Sequence, residues 1–313
     1  MKRTLFCILS TILLLCGFHM NAQETYQFAE RDTCNLYLDI FRASQGSETT
    51  FNGVKKPTIL YVFGGGFLAG KRTDDFTRKW FKLLNDNGFP VITIDYRLGM
   101  KGYKVGKGIK GAYQSVDRFE LSQNVGVEDV FSAITFLKQH NDVLDIDINN
   151  MVLAGSSAGA IITLATIHDI SRGRTKGLPD GFNFKGAMSF AGAIISTEGA
   201  PSFTKAPCPV LLFHGTADKA VAYKHLGLLK KGLWGSDYIA GRLSKKNYNY
   251  SIYRFKGRSH DVASYHMVLW PLEKQFLEEN VMSGHKRIVD AMVDDESLPT
   301  WGSISMDDIY NKK

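Results

Sequence analysis

The chain has 313 residues, 44% of them hydrophobic and 22% charged, enough to bury a large core as one domain or at most two. Its formal charge of +7 falls to +5 without Lys2 and Arg3. This surplus forms no basic helix face and no alternation with aromatics, which argues against a nucleic-acid partner.

The chain opens with Lys2 and Arg3, an apolar run from Leu5 to Phe18 and the small-residue stretch Met20-Asn21-Ala22-Gln23, with no acid before Glu24. This three-part layout predicts a secretory signal over residues 1–23, with a secreted or periplasmic product. The apolar run is too short for a membrane span, which needs about 20 residues. Cys16-Gly17 leaves open a lipid-anchored alternative, disfavoured by the bulky Leu15. Of four cysteines, Cys34 and Cys208 follow this segment. They lack metal-ligand spacing; a single disulfide stays open, but a small buried role suits both better.

Asn35 to Phe41 alternates Leu36, Leu38 and Ile40 with polar partners, the pattern of a half-buried edge strand. Thr58–Phe63, Val91–Asp95, Met151–Ala154, Lys185–Phe190 and Pro209–His214 are short apolar runs that read as buried central strands. Helical spacing falls between them at Asp75–Asn87, Val127–His140 and Ala158–Ile170. Further helices are expected at Tyr223–Lys231, Ser236–Lys246 and Ser264–Asn280, with a strand at Ser251–Phe255. Alternating strand and helix predicts an α/β fold with a mostly parallel sheet and helices on both faces. The catalytic domain is expected over 24–280, with residues 281–313 a polar tail wrapped on its surface. Arg97, Lys101, Lys104, Lys107 and Lys110 lie in a glycine-rich stretch without an acid. It reads as a solvated loop, with an anion-attracting rim the sharper alternative.

The chemistry begins at Gly155-Ser156-Ser157-Ala158-Gly159, a G-x-S-x-G segment between the strand at 151–154 and the helix from Ala158. A nucleophile at a sharp strand-to-helix turn needs small neighbours on both sides, which the two glycines supply. Ser156 breaks the glycine spacing, so Ser157 is the candidate nucleophile. Upstream, Phe63-Gly64-Gly65-Gly66-Phe67 follows another buried strand. Its bare backbone lets N–H groups approach a substrate oxygen, as acyl transfer through a tetrahedral intermediate requires.

This pairing resembles the esterase and lipase branch of the α/β-hydrolases, which includes the hormone-sensitive-lipase-like carboxylesterases. Asp95-Tyr96-Arg97-Leu98 matches the family's pattern, whereas Phe63 stands where the glycine loop usually carries histidine. The resemblance covers about residues 35–280. It implies oxyanion donors at the amides of Gly65, Gly66 and Ala158.

The fold's chain order then calls for an acid and a histidine downstream. Asp218 follows the strand at 209–213 within His214-Gly215-Thr216-Ala217-Asp218, and His260 follows the strand at 251–255 within Gly257-Arg258-Ser259-His260. Both segments match the family. Asp261 is the rival acid, but sequence neighbours seldom orient an imidazole, and His214 reads as structural. The expected mechanism is an acyl-enzyme on Ser157, with His260 as base and Asp218 orienting it. No metal or organic cofactor is implied.

The expected substrate is a small-molecule or glycan ester. By resemblance to secreted bacterial carbohydrate esterases, it would carry acetyl or feruloyl groups on a polysaccharide. The alternatives are a short-chain carboxylesterase or lipase, more distantly a serine peptidase, and a non-catalytic binding module. Phe63, Phe67, Tyr96, Tyr103, Tyr113 and Trp234 are candidate rim aromatics.

Overall fold

The computed structural model describes residues 23–311. Residues 1–22, which hold most of the expected export signal and Cys16, lie outside the described residues. Nine strands form the main sheet: β1 (Glu24–Arg31), β2 (Cys34–Phe41), β3 (Thr58–Val62), β4 (Val91–Ile94), β5 (Met151–Ser156), β6 (Gly186–Phe190), β7 (Val210–Gly215), β8 (Tyr250–Phe255) and β9 (Val289–Val293). Their spatial order is β1-β2-β4-β3-β5-β6-β7-β8-β9. β1 and β2 run antiparallel, as do β2 and β4, while every later neighbour pair is parallel. The central strands β3, β5, β6 and β7 are buried throughout, which is why they read as continuous apolar runs rather than alternating ones.

The helices are α1 (Asp75–Asp86), α2 (Gly108–Gln114), α3 (Val116–Gln139), α4 (Asn141–Leu144), α5 (Ala158–Ser171), α6 (Ser236–Lys245), α7 (His266–Phe276) and α8 (Met306–Tyr310). A capping box starts α1: the Asp74 carboxylate accepts the Thr77 amide at 2.7 Å, and the Thr77 hydroxyl accepts the Asp74 amide at 3.1 Å. Such a reciprocal pair satisfies two donors that a helix start otherwise leaves open. α1 packs with α7 over one face of the sheet, and α3 packs with α5 over the other. No helix among the described residues is long and apolar enough to cross a membrane.

Five expectations need correction. Cys34, expected to be buried, is exposed at the start of β2, whereas Cys208 is buried, and both are free thiols. β2 is not an edge strand, because β1 pairs along its outer side. α3 begins at Val116 rather than Val127. Gly126, which looks like a break, is a close approach of two helices, where a side chain would run into Ile162 of α5.

The segment 223–231 is not a helix. His225–Leu228 pairs antiparallel with Lys231–Gly235, which in turn pairs with Ala193–Ser196. The leucines and lysines there are good helix formers, but Gly227 and Gly232 face each other across the hairpin with no room for a Cβ. Finally, the tail is more than a surface wrap. Its Val289–Val293 adds the ninth strand to the sheet, parallel to β8.

Candidate active site

Ser157 sits between β5 and α5 with φ 52° and ψ −116°. That backbone lies outside the compact left-handed region open to ordinary residues and costs on the order of 1–3 kcal/mol. The surroundings hold it: the Ser157 amide donates to the Phe190 carbonyl at 2.9 Å, and the Ile161 amide donates to the Ser157 carbonyl at 2.9 Å. The flanking glycines allow the turn. A Cβ on Gly155 would collide with the carbonyl of Gly159, and one on Gly159 with the carbonyl of Val62. Ser156 points elsewhere, its hydroxyl donating to the Ala263 carbonyl at 2.6 Å.

His260 begins a short 3-10 turn, His260–Ser264, just past β8. Its Nε2 lies 2.8 Å from the Ser157 Oγ, and its Nδ1 lies 2.7 Å from Asp218 Oδ2. The three residues predicted as a triad thus form one hydrogen-bonded line across the C-terminal ends of β5, β7 and β8. The Asp218 side chain is fully buried. Its other oxygen accepts the amides of Ala220 and Val221 at 2.8 and 2.9 Å.

Burial opposes the Asp218 charge, but hydrogen bonds from His214 and His260 outweigh it and hold the pKa well below the usual carboxylate range. The carboxylate therefore stays ionised. His214 also bonds the Ser236 hydroxyl at 2.8 Å and the Val221 carbonyl at 3.1 Å, a fixed and fully buried position. Asp261 does something else, accepting the Trp301 amide at 2.9 Å.

The glycine loop lies against Ser157, since a Cβ on Gly64 would stand 3.2 Å from that of Ser157. Gly65 has φ +117°, and a side chain there would collide with the carbonyl of Ala69. Only glycine suits this corner. Ala158 is the first residue of α5, so its N–H has no acceptor within the helix and lies at the positive helix end beside Ser157.

Phe63, in place of the family's histidine, is a packing residue. Its ring lies 4.5 Å from that of Tyr96, tilted by 34°, and the Tyr96 hydroxyl donates to the Phe63 carbonyl at 3.1 Å. Tyr96 thus braces the loop from below. Arg97, by contrast, is taken up by Asp129 and Glu128 and contributes nothing to a basic rim. Lys101, Lys104, Lys107 and Lys110 are exposed.

Phe63, Phe67, Tyr96 and Trp234 are buried in the core rather than on a rim. Trp301 and Phe76 are exposed aromatics at the cleft, and Trp301 lines a cavity of about 520 Å3 together with Ser157, His260 and Asp261. Trp301 comes from the polar tail, where no periodicity or motif marked it. Tyr310 is the second residue missed: its hydroxyl donates to the Gly66 carbonyl at 2.6 Å.

A mostly parallel sheet with a strained serine between a central strand and the helix behind it defines an α/β-hydrolase. Residues 18–197 match the model of the carboxylesterase family, and the chain belongs to that family. Among its relatives are a probable N-octanoylanthranilate hydrolase of Rhodococcus erythropolis, 28% identical over 38% of this chain, and the juvenile hormone esterase of Tribolium castaneum, 25% identical over 53%. The matched stretches make up 23% and 24% of those two proteins. The fold is similar to that of Thermogutta terrifontis esterase 2 phosphonylated by cyclosarin. That match has a TM-score of 0.57 at 20% identity and covers 83% of this chain and 95% of that one.

Proposed function

We propose that the chain hydrolyses carboxylic esters through an acyl-enzyme on Ser157. The observation that carries this reading is the unbroken line from Ser157 Oγ through His260 to Asp218, at 2.8 and 2.7 Å. His260 Nε2 takes the hydroxyl proton as Ser157 attacks the ester carbonyl. The amides of Gly65, Gly66 and Ala158 are the donors for the oxyanion, and membership of the carboxylesterase family supports that role. His260 then returns the proton to the departing alcohol as the ester C–O bond breaks. Water repeats the cycle and releases the acid. Asp218, ionised and fixed by two backbone amides, keeps the imidazole aimed and offsets its transient charge.

The opening 23 residues support export from the cytoplasm, and an exported esterase suits acetyl or feruloyl esters of polysaccharides as substrates. A cleft of about 520 Å3 at Ser157 is in the size range of small-molecule sites. It favours a bulky alcohol such as a sugar.

Turnover of 4-nitrophenyl acetate by the protein and by Ser157→Ala tests the proposal. The substitution is expected to leave folding intact and to cost about 10³-fold or more in kcat/KM. Activity kept within about tenfold would move the nucleophile elsewhere.

A further inference from the structure

Two cavities of very different size meet at Ser157. The wide one, about 520 Å3, is lined by His260 and Trp301. The other, about 30 Å3, touches Ser157 and Ala158 but not His260. Their positions separate the two halves of an ester. His260 must protonate the departing oxygen, so the alcohol lies on the histidine side, in the wide cleft. Ala158 and Gly66, whose amides take the carbonyl oxygen, also border the niche, so the acyl substituent on the same carbon enters it.

The walls of the niche are Phe119, Ile161 and Val221, and its remaining side is closed by Met306, Ile309 and Tyr310. The last three belong to α8, more than 140 residues away from Ser157 in sequence. Several contacts hold α8 there. The Tyr310 hydroxyl donates to the Gly66 carbonyl, and its ring meets Phe119 edge-on at 5.3 Å. The Gly108 amide donates to Asp307 at 3.2 Å. The approach to α8 is tied down by Asp261 at the Trp301 amide and by a bridge between Lys219 and Ser305. At about 30 Å3 against about 520 Å3 for the cleft, the niche suits a short acyl substituent such as the methyl of acetyl and resists a longer chain or an aromatic ring.

We infer that α8 is the acyl-selecting element of this protein, closing the niche beside Ser157 so that acetyl fits and longer or aromatic acyl groups do not. The inference rests on the ester-hydrolase reading and sharpens it: between acetyl and feruloyl esters, it selects acetyl. Ile309 and Met306 set the depth of the niche, and Tyr310 fixes α8 to the glycine loop.

The test is a series of 4-nitrophenyl acetate, butyrate and hexanoate with the full chain, Met306→Ala and Ile309→Ala, with Tm measured for each protein. The unsubstituted protein is expected to lose at least about tenfold in kcat/KM from acetate to hexanoate, since each misfit methylene is worth about tenfold or more. Each alanine, by opening the niche, is expected to raise the hexanoate-to-acetate ratio by about tenfold or more. Hexanoate turned over as readily as acetate by the unsubstituted protein overturns the inference while leaving the esterase reading intact. So does an unchanged ratio in variants that melt like the parent. No turnover of any of the three esters by the unsubstituted protein defeats both. Should one variant fail to fold, the parent's chain-length profile and the other variant still decide.

Discussion

Ser156 and Ser157 share a pentapeptide yet have opposite fates. One hydroxyl is spent on the Ala263 carbonyl, which ties β5 to the turn carrying His260; the other faces the imidazole. The same division separates Asp218 from Asp261, adjacent in space to one histidine but bonded differently. Asp218 meets the His260 Nδ1 and is ionised, whereas Asp261 holds the Trp301 amide. Asp218→Asn keeps the size of the side chain but removes the charge and can present its amide to the ring. It is expected to lower kcat/KM by about 10³-fold or more. Asp261→Asn loosens only a tail contact and should stay within about tenfold. Parallel kinetics on both variants check this, and the reverse order would reassign the acid.

At the scale of elements, the pairing of α1 with α7 carries a titration that folding must accommodate. His266 at the start of α7 is enclosed by Tyr61, Phe76, Trp80 and Phe190, and neither ring nitrogen has a hydrogen-bond partner. Burial pulls its pKa down to about 3, from an ordinary 6.5. The folded form therefore excludes a proton that the unfolded chain binds. The stability tied to neutral His266 is complete above pH 6.5 and is lost as pH falls toward 3.

His266→Phe removes that proton linkage and two unpaired polar atoms, and fits a pocket already aromatic. It is expected to raise stability by about 1–3 kcal/mol and to flatten the fall in Tm between pH 6.5 and 4.5. Thermal melts across that range provide the check. A variant as acid-sensitive as the parent would contradict the account.

For the whole molecule, what the sequence revealed follows from how each part is specified. The central strands and the turn after β5 are encoded locally, by runs of buried apolar residues and by glycines where backbones nearly touch, so Ser157, Asp218 and His260 could be placed on strand ends. The hairpin at 225–235 was hidden because leucine and lysine favour helix, and only the cross-strand contact of Gly227 and Gly232 decides otherwise. β9 was hidden because an edge strand is half exposed and its Val289, Ala291 and Val293 look like scattered tail residues. Trp301, Ile309 and Tyr310 reach the site through contacts across most of the chain, which no local pattern can announce.

On the proposed mechanism, Ser157 is the residue acylated in turnover. Mass spectrometry after treatment with an aryl phosphonate, followed by peptide mapping, tests it most directly. A single adduct on Ser157 is expected, lost in His260→Ala because the hydroxyl is then no longer activated. An adduct on Ser156 or any other residue, or labelling of Ser157 undiminished without His260, would contradict that mechanism.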